Sequence, residues 1–97
     1  MATYKEIRKK LEDLKFSYDN EPITFFIEIN DDQWNQIFQT RHFRTIENAL
    51  KWFNENCMFI DLSGYPVWLM YEVKNSDIDR FADIVYNAES RTYVLGW

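Results

Sequence analysis

From Ile23 to Ile29 the chain alternates, with Ile23, Phe25, Ile27 and Ile29 on one face and Thr24, Phe26 and Glu28 on the other. That period of two is the signature of a strand with two different sides. Asn30-Asp31-Asp32 then reads as a turn, and Gln33 to Phe43 returns as a partner strand carrying Trp34, Ile37 and Phe38, with a short helix at 32–39 as the competing reading. The period changes at Thr45. Ile46, Ala49, Leu50, Phe53 and Cys57 share one helical face, and Thr45 is a good N-cap, so a helix is predicted through about Asn56. Met58 to Leu62 is short and apolar and reads as a strand closed by a Ser63-Gly64 turn. Val67 to Val73 is a longer strand that is apolar on both faces, as expected of a central strand covered on two sides by a second layer or by a partner.

The two ends of the chain carry further patterns. Thr3 and Glu6 form a capping box, and Tyr4, Ile7, Leu11 and Leu14 then recur at helical spacing to about Lys15. Near the C-terminus, Ser76 with Asp79 resembles a second capping box, and Ile78, Phe81, Ala82 and Val85 have helical spacing. Ile84 to Asn87 and Thr92 to Leu95, joined by Ala88-Glu89-Ser90-Arg91, look instead like a hairpin. Together they predict a short helix at 76–83 followed by a hairpin ending at Trp97. The expected fold is a single α+β domain over residues 1–97. It has an antiparallel sheet with two longer helices packed on one face, in the order α, β, β, α, β, β, short α, β, β.

Composition adds a surplus of rings. Aromatic residues make up 19% of 97 positions, as Phe 8, Tyr 6 and Trp 4. Each carries about 150 to 250 Å² of surface, more than a core of this size can absorb, so some are expected outside it as contact residues. Cys57 is the single cysteine, which rules out an intrachain disulfide and points to a cytoplasmic protein. Lys5, Arg8, Lys9 and Lys10 are followed by Leu11-Glu12-Asp13-Leu14 rather than by a signal-peptide core, and no apolar stretch reaches membrane-spanning length. Neither secretion nor insertion is expected. Net charge is −5, and it is unevenly spread: residues 1–15 hold five basic and three acidic side chains, residues 16–97 six and thirteen. An acidic body repels nucleic-acid phosphates and favours basic partners.

The inventory of reactive groups is short. His42 and Cys57 are each the only residue of their kind, and Cys57 continues the apolar stripe of its helix, where a buried inert thiol is the ordinary finding. Two imidazole or thiol ligands in all do not make a zinc site. Gly64 and Gly96, the only glycines, form no phosphate loop. Arg41-His42-Phe43-Arg44 reads as a solvated strand end, and Asp31-Asp32 and Asp77-Ile78-Asp79 lack calcium-loop spacing. No catalytic residue, metal or cofactor is expected.

What remains is carboxylates beside large rings: Glu28, Asp31, Asp32 and Trp34 around the first turn, with Asp77, Asp79 and Asp83 near the C-terminal helix. Rings anchor a protein interface and a carboxylate rim steers a basic partner. The expected function is therefore non-catalytic binding of a larger protein with a basic surface. Stoichiometric inhibition of a nucleic-acid-handling protein is its simplest form, in the manner of small phage anti-defence or toxin-immunity proteins. Direct nucleic-acid binding is disfavoured, and a homodimer through the two-sided strand stays open. The alternative from another class is a small-molecule or nucleotide module with an aromatic pocket of Trp68, Tyr71 and Trp97.

Overall fold

The computed structural model describes residues 9, 12, 13, 22–74 and 77–96. Five strands form one antiparallel sheet: β1 (Ile23–Asn30), β2 (Gln36–Gln39), β3 (Val67–Val73), β4 (Ile78–Asn87) and β5 (Thr92–Gly96). Their order across the sheet is β2-β1-β3-β4-β5. A helix, α1 (Ile46–Cys57), leaves β2 and returns to β3. It packs on one side of the sheet, here the inner face.

Alternation in the sequence becomes sidedness in the sheet. Phe25, Ile27 and Ile29 on β1 stand in register with Tyr71, Leu69 and Val67 on β3, and all six point to the inner face. Ile46, Ala49, Phe53 and Cys57 of α1 close over them. The helix starts at Thr45, whose extended backbone places its Oγ1 to accept the Asn48 N–H at 3.1 Å. On β3 Leu69 is buried on the inner face and Met70 on the outer, so the central strand is covered on both sides. Phe26 is also buried on the outer face, stacked with the His42 ring at 4.6 Å between centroids.

Each side of the sheet is finished by side-chain hydrogen bonds. From Gln36 to Phe43 the chain follows β1, as the alternative to a helix there required. The Ile27 N–H donates to buried Thr40 Oγ1 at 2.9 Å, and Phe25 and Phe43 exchange both backbone bonds. At the other edge, the Asn54 amide from α1 lies along β5. Its Oδ1 accepts the Tyr93 N–H at 2.7 Å and its Nδ2 donates to the Tyr93 carbonyl at 3.1 Å. One side chain thus imitates a further strand at Tyr93 and blunts an edge that would otherwise invite pairing.

The observed fold corrects the expected one in three ways. Among the described residues one helix, not two, packs on the sheet, and the domain is mostly sheet. Of the helix expected at 3–15, Lys9, Glu12 and Asp13 are helical and exposed; the rest lies outside the described residues. Met58 to Leu62 is not a strand but part of the loop from α1 to β3. Phe59 and Ile60 are exposed, and the loop turns on the Asp61 carboxylate, which accepts the Ser63 N–H at 3.0 Å. Among the described residues no strand pairs with this apolar run. Residues 78–83, expected within a short helix, belong to β4. A bulge on β4 opposite Leu69 and Met70 places Phe81 and Ala82 in succession on the inner face. Two adjacent inward residues broke the alternation and mimicked helical spacing.

Removing the edge cover is expected to be costly. Asn54→Ala leaves both Tyr93 backbone groups without their partner. It should lower unfolding free energy by about 1 to 3 kcal/mol in urea titrations and increase self-association in light scattering. Phe53→Ala, at the centre of the inner core, should cost about 3 to 5 kcal/mol without the added self-association.

Candidate functional site

The outer face carries the chemistry. One row of Cα partners crosses the sheet there: Gln39 on β2, Glu28 on β1, Trp68 on β3, Asp83 on β4 and Gly96 on β5. Trp68 therefore stands between two carboxylates. Gly96 adds no side chain beyond Asp83, and a Cβ there would meet a Val85 methyl at 2.9 Å. The β4 bulge completes the arrangement. In a regular strand, residues 80 and 83 would face opposite sides; the extra residue puts Arg80 and Asp83 on the same face as Trp68. The Arg80 guanidinium lies 5.0 Å from the Trp68 ring centroid and 3.9 Å from Asp83 Oδ1.

Trp34 reaches this row from the β1-β2 hairpin. Its ring stacks on Trp68, with centroids 5.5 Å apart and planes 17° apart, yet it is 62% exposed. Its backbone is left-handed, at φ +66°, which is uncommon for a bulky residue and costs about 1 to 3 kcal/mol. Asp31 holds the hairpin in that shape. Its carboxylate accepts the Gln33 N–H at 2.9 Å and the Asn35 N–H at 2.8 Å, while its carbonyl accepts the Trp34 N–H at 3.1 Å. These bonds favour the ionised form and hold the Asp31 carboxyl below the usual carboxylate range, the Asn35 bond contributing most. At the base of the hairpin, the buried Asn30 donates from its backbone and from Nδ2 to the Pro66 carbonyl, at 2.8 and 3.4 Å. Its Oδ1 accepts no hydrogen bond from the described residues.

Trp34, Trp68, Arg80, Asp83, Val85 and Tyr65 line an open groove of about 360 Å³. A second groove, of about 340 Å³, lies on the inner-face side of the same sheet end, past Ile60, Tyr65, Tyr86 and Tyr93. Tyr65 belongs to both, so the loop before β3 joins them. Phe59, 84% exposed, projects from the same loop. Burial beside Trp68 raises the Glu28 carboxyl above its ordinary value. No ion pair or hydrogen bond of the Glu28 side chain is present among the described residues.

The residues predicted as an interface divide on this surface. Glu28, Trp34 and Asp83 converge around Trp68, although Asp83 had been grouped with the C-terminal carboxylates. Asp32 is exposed on the hairpin, and Asp31 is its internal clasp. Asp77 and Asp79 sit at the far end of β4; Asp79 opposes Tyr71 and its Oδ1 accepts the Arg80 N–H at 2.7 Å. The proposed pocket trio does not assemble: Trp68 and Tyr71 occupy opposite faces of β3, and Trp97 lies outside the described residues. Arg80 and Tyr65 were missed. The adjacent apolar pair Phe81-Ala82 in an otherwise alternating segment was the signal for a bulge, and hence for Arg80.

Other reactive groups are elsewhere. His42 Nδ1 is 2.9 Å from Thr24 Oγ1 and 3.4 Å from a Glu72 oxygen on the outer face, whereas Cys57 is buried among inner-face residues with its thiol pKa raised by desolvation. The sheet separates the two. Among the described residues no three His, Cys, Asp or Glu side chains gather to hold a metal, and no helix is long and apolar enough to cross a membrane. No protein-family model, curated protein or solved structure matches this chain.

The stacked indoles should give an exciton couplet in far-UV circular dichroism. Trp34→Phe should abolish it while changing stability by no more than about 0.5 kcal/mol. Because the folded Asp31 pKa is depressed, its contribution is complete above the unfolded value of about 3.9 and is lost as pH falls through the lower folded value. The couplet should therefore hold from neutral pH to about pH 4 and decline only below it. Asp31→Asn, which keeps an acceptor but has no charge to lose, should flatten that decline.

Proposed function

We propose that this chain is a non-catalytic binding protein that docks on a larger protein through the outer sheet face around Trp34 and Trp68. The observation that carries the reading is Trp34 itself. A large ring left 62% exposed gains little for folding, yet the chain maintains a left-handed backbone and an aspartate clasp to present it. Such pre-organisation lowers the entropy cost of binding, and tryptophan and arginine are the side chains that most often dominate interface energetics. Glu28, Asp32 and Asp83 provide the carboxylate rim, which favours a partner with a basic surface.

Two features favour a protein over a small molecule. The grooves are open and run into each other at Tyr65, so they suit a broad contact. The exposed Trp34, Tyr65 and Tyr86 are spread over both rather than gathered in one enclosed cavity. Covering a partner's surface needs no reactive group, and stoichiometric inhibition, as by an anti-defence or immunity protein, is the activity such a face serves most directly.

The test is affinity capture from the native host, comparing the natural chain with Trp34→Ala. The natural chain should recover a defined partner at 1:1 or 2:2 stoichiometry. The variant should weaken that complex by at least about thirtyfold, the scale of a hot-spot residue, and raised salt should slow association through loss of steering. A partner retained equally by both chains would place the interface elsewhere.

A further inference from the structure

We propose that the element recognised by this face is an arginine side chain of the partner protein, its guanidinium laid against the Trp34–Trp68 stack and its charge met by Glu28 and Asp83. The inference rests on the protein-binding reading above and specifies the ligand of that same site.

The chain already displays this arrangement with its own residue. Arg80 lies 5.0 Å from the Trp68 centroid with Asp83 3.9 Å away, so a guanidinium, an indole and a carboxylate meet on this face. Arg80 and Asp83 are both about half exposed, and an exposed pair of that length is weak enough for Asp83 to engage a second cation. Glu28, on the strand to the other side of Trp68, has neither a cation nor a hydrogen-bond donor among the described residues. It is a partly dehydrated carboxylate next to an aromatic stack, and a cation brought by a partner would complete it.

Shape selects among cations. Trp34 and Trp68 are nearly parallel, and a planar, weakly hydrated guanidinium stacks on such a surface better than a compact ammonium does. Charge selects against phosphate-bearing ligands. Glu28 and Asp83 flank Trp68 on the neighbouring strands and Asp32 is exposed on the hairpin that carries Trp34, whereas Arg41 and Lys51 line a separate groove with Phe43 and Trp52.

The experiment follows the indole N–H resonances of the full-length, nitrogen-15-labelled chain during titration with acetyl-Gly-Gly-Arg-Gly-Gly-amide. The same peptide with lysine or with citrulline at the central position serves as comparison. The arginine peptide should shift the Trp34 and Trp68 indole signals saturably. The uncharged citrulline peptide should bind about two- to thirtyfold more weakly, the range for a cation on an aromatic face, with lysine between them. Glu28→Gln, nearly isosteric, should weaken the arginine peptide about three- to tenfold while leaving the free protein's indole spectrum and urea midpoint in place. Equal binding of arginine and citrulline peptides, or no shift with either, would overturn the inference. If Trp34→Ala still abolishes partner capture in that case, protein binding through this face stands and only the guanidinium assignment falls. Concentration-dependent dimerisation that disappears in Trp34→Ala would also overturn it, by assigning the face to a second copy.

Discussion

The bulge on β4 is the constraint on which the rest of the molecule turns. β3 needs cover on both sides, because Leu69 and Met70 point to opposite faces and both are buried. β4 must therefore serve two surfaces at once, and a strictly alternating strand would give each surface every second residue. By inserting one residue, β4 sends both Phe81 and Ala82 inward, where Phe81 meets Phe25 and Tyr71 edge to face. The same insertion changes the phase of everything after it. Arg80 and Asp83 consequently share the outer face with Trp68, so one backbone irregularity serves both the core and the candidate site.

The two faces solve different problems. The inner face is an ordinary apolar core closed by α1, with Asn54 finishing the β5 edge by hydrogen bonding rather than by packing. The outer face holds Phe26 and Met70 buried towards one end and the indole pair with its flanking carboxylates at the other. Stability resides mainly in the first. The second carries features that folding does not require: a left-handed tryptophan, a Glu28 carboxylate with no partner among the described residues, and the exposed ring of Tyr65. Sites that depart from the locally best choice are where function is usually found.

Asp31 shows how residue type and role can separate. In the sequence it is one more acidic residue beside Trp34, grouped with Glu28 and Asp32 as a contact. In the fold its carboxylate is consumed by the amides of Gln33 and Asn35, and it acts by positioning the ring. Asp83 moves the other way. It was grouped with Asp77 and Asp79 on a supposed helix, and the sheet register delivers it instead to Trp68 on the neighbouring strand.

Local pattern was sufficient for β1, the return strand along it, α1 with its Thr45 cap, β3, and the turn and final strand of the C-terminal hairpin. β1 has an unbroken period of two and α1 one of 3.6 with its own cap. β3 is a short apolar run bounded by turn residues, and the two hairpin partners follow turn signals, so none of these readings needs a distant partner. Tertiary structure decided whether residues 58–62 and 78–83 were strands, because an apolar run becomes a strand only where another strand can pair with it, and a bulge is defined by its neighbour's register. It also decided which charges became neighbours. The residues gathered at Trp68 come from β1, the hairpin loop, β3 and β4, and the row joining them exists only across strands, in a direction that spacing along the chain does not encode.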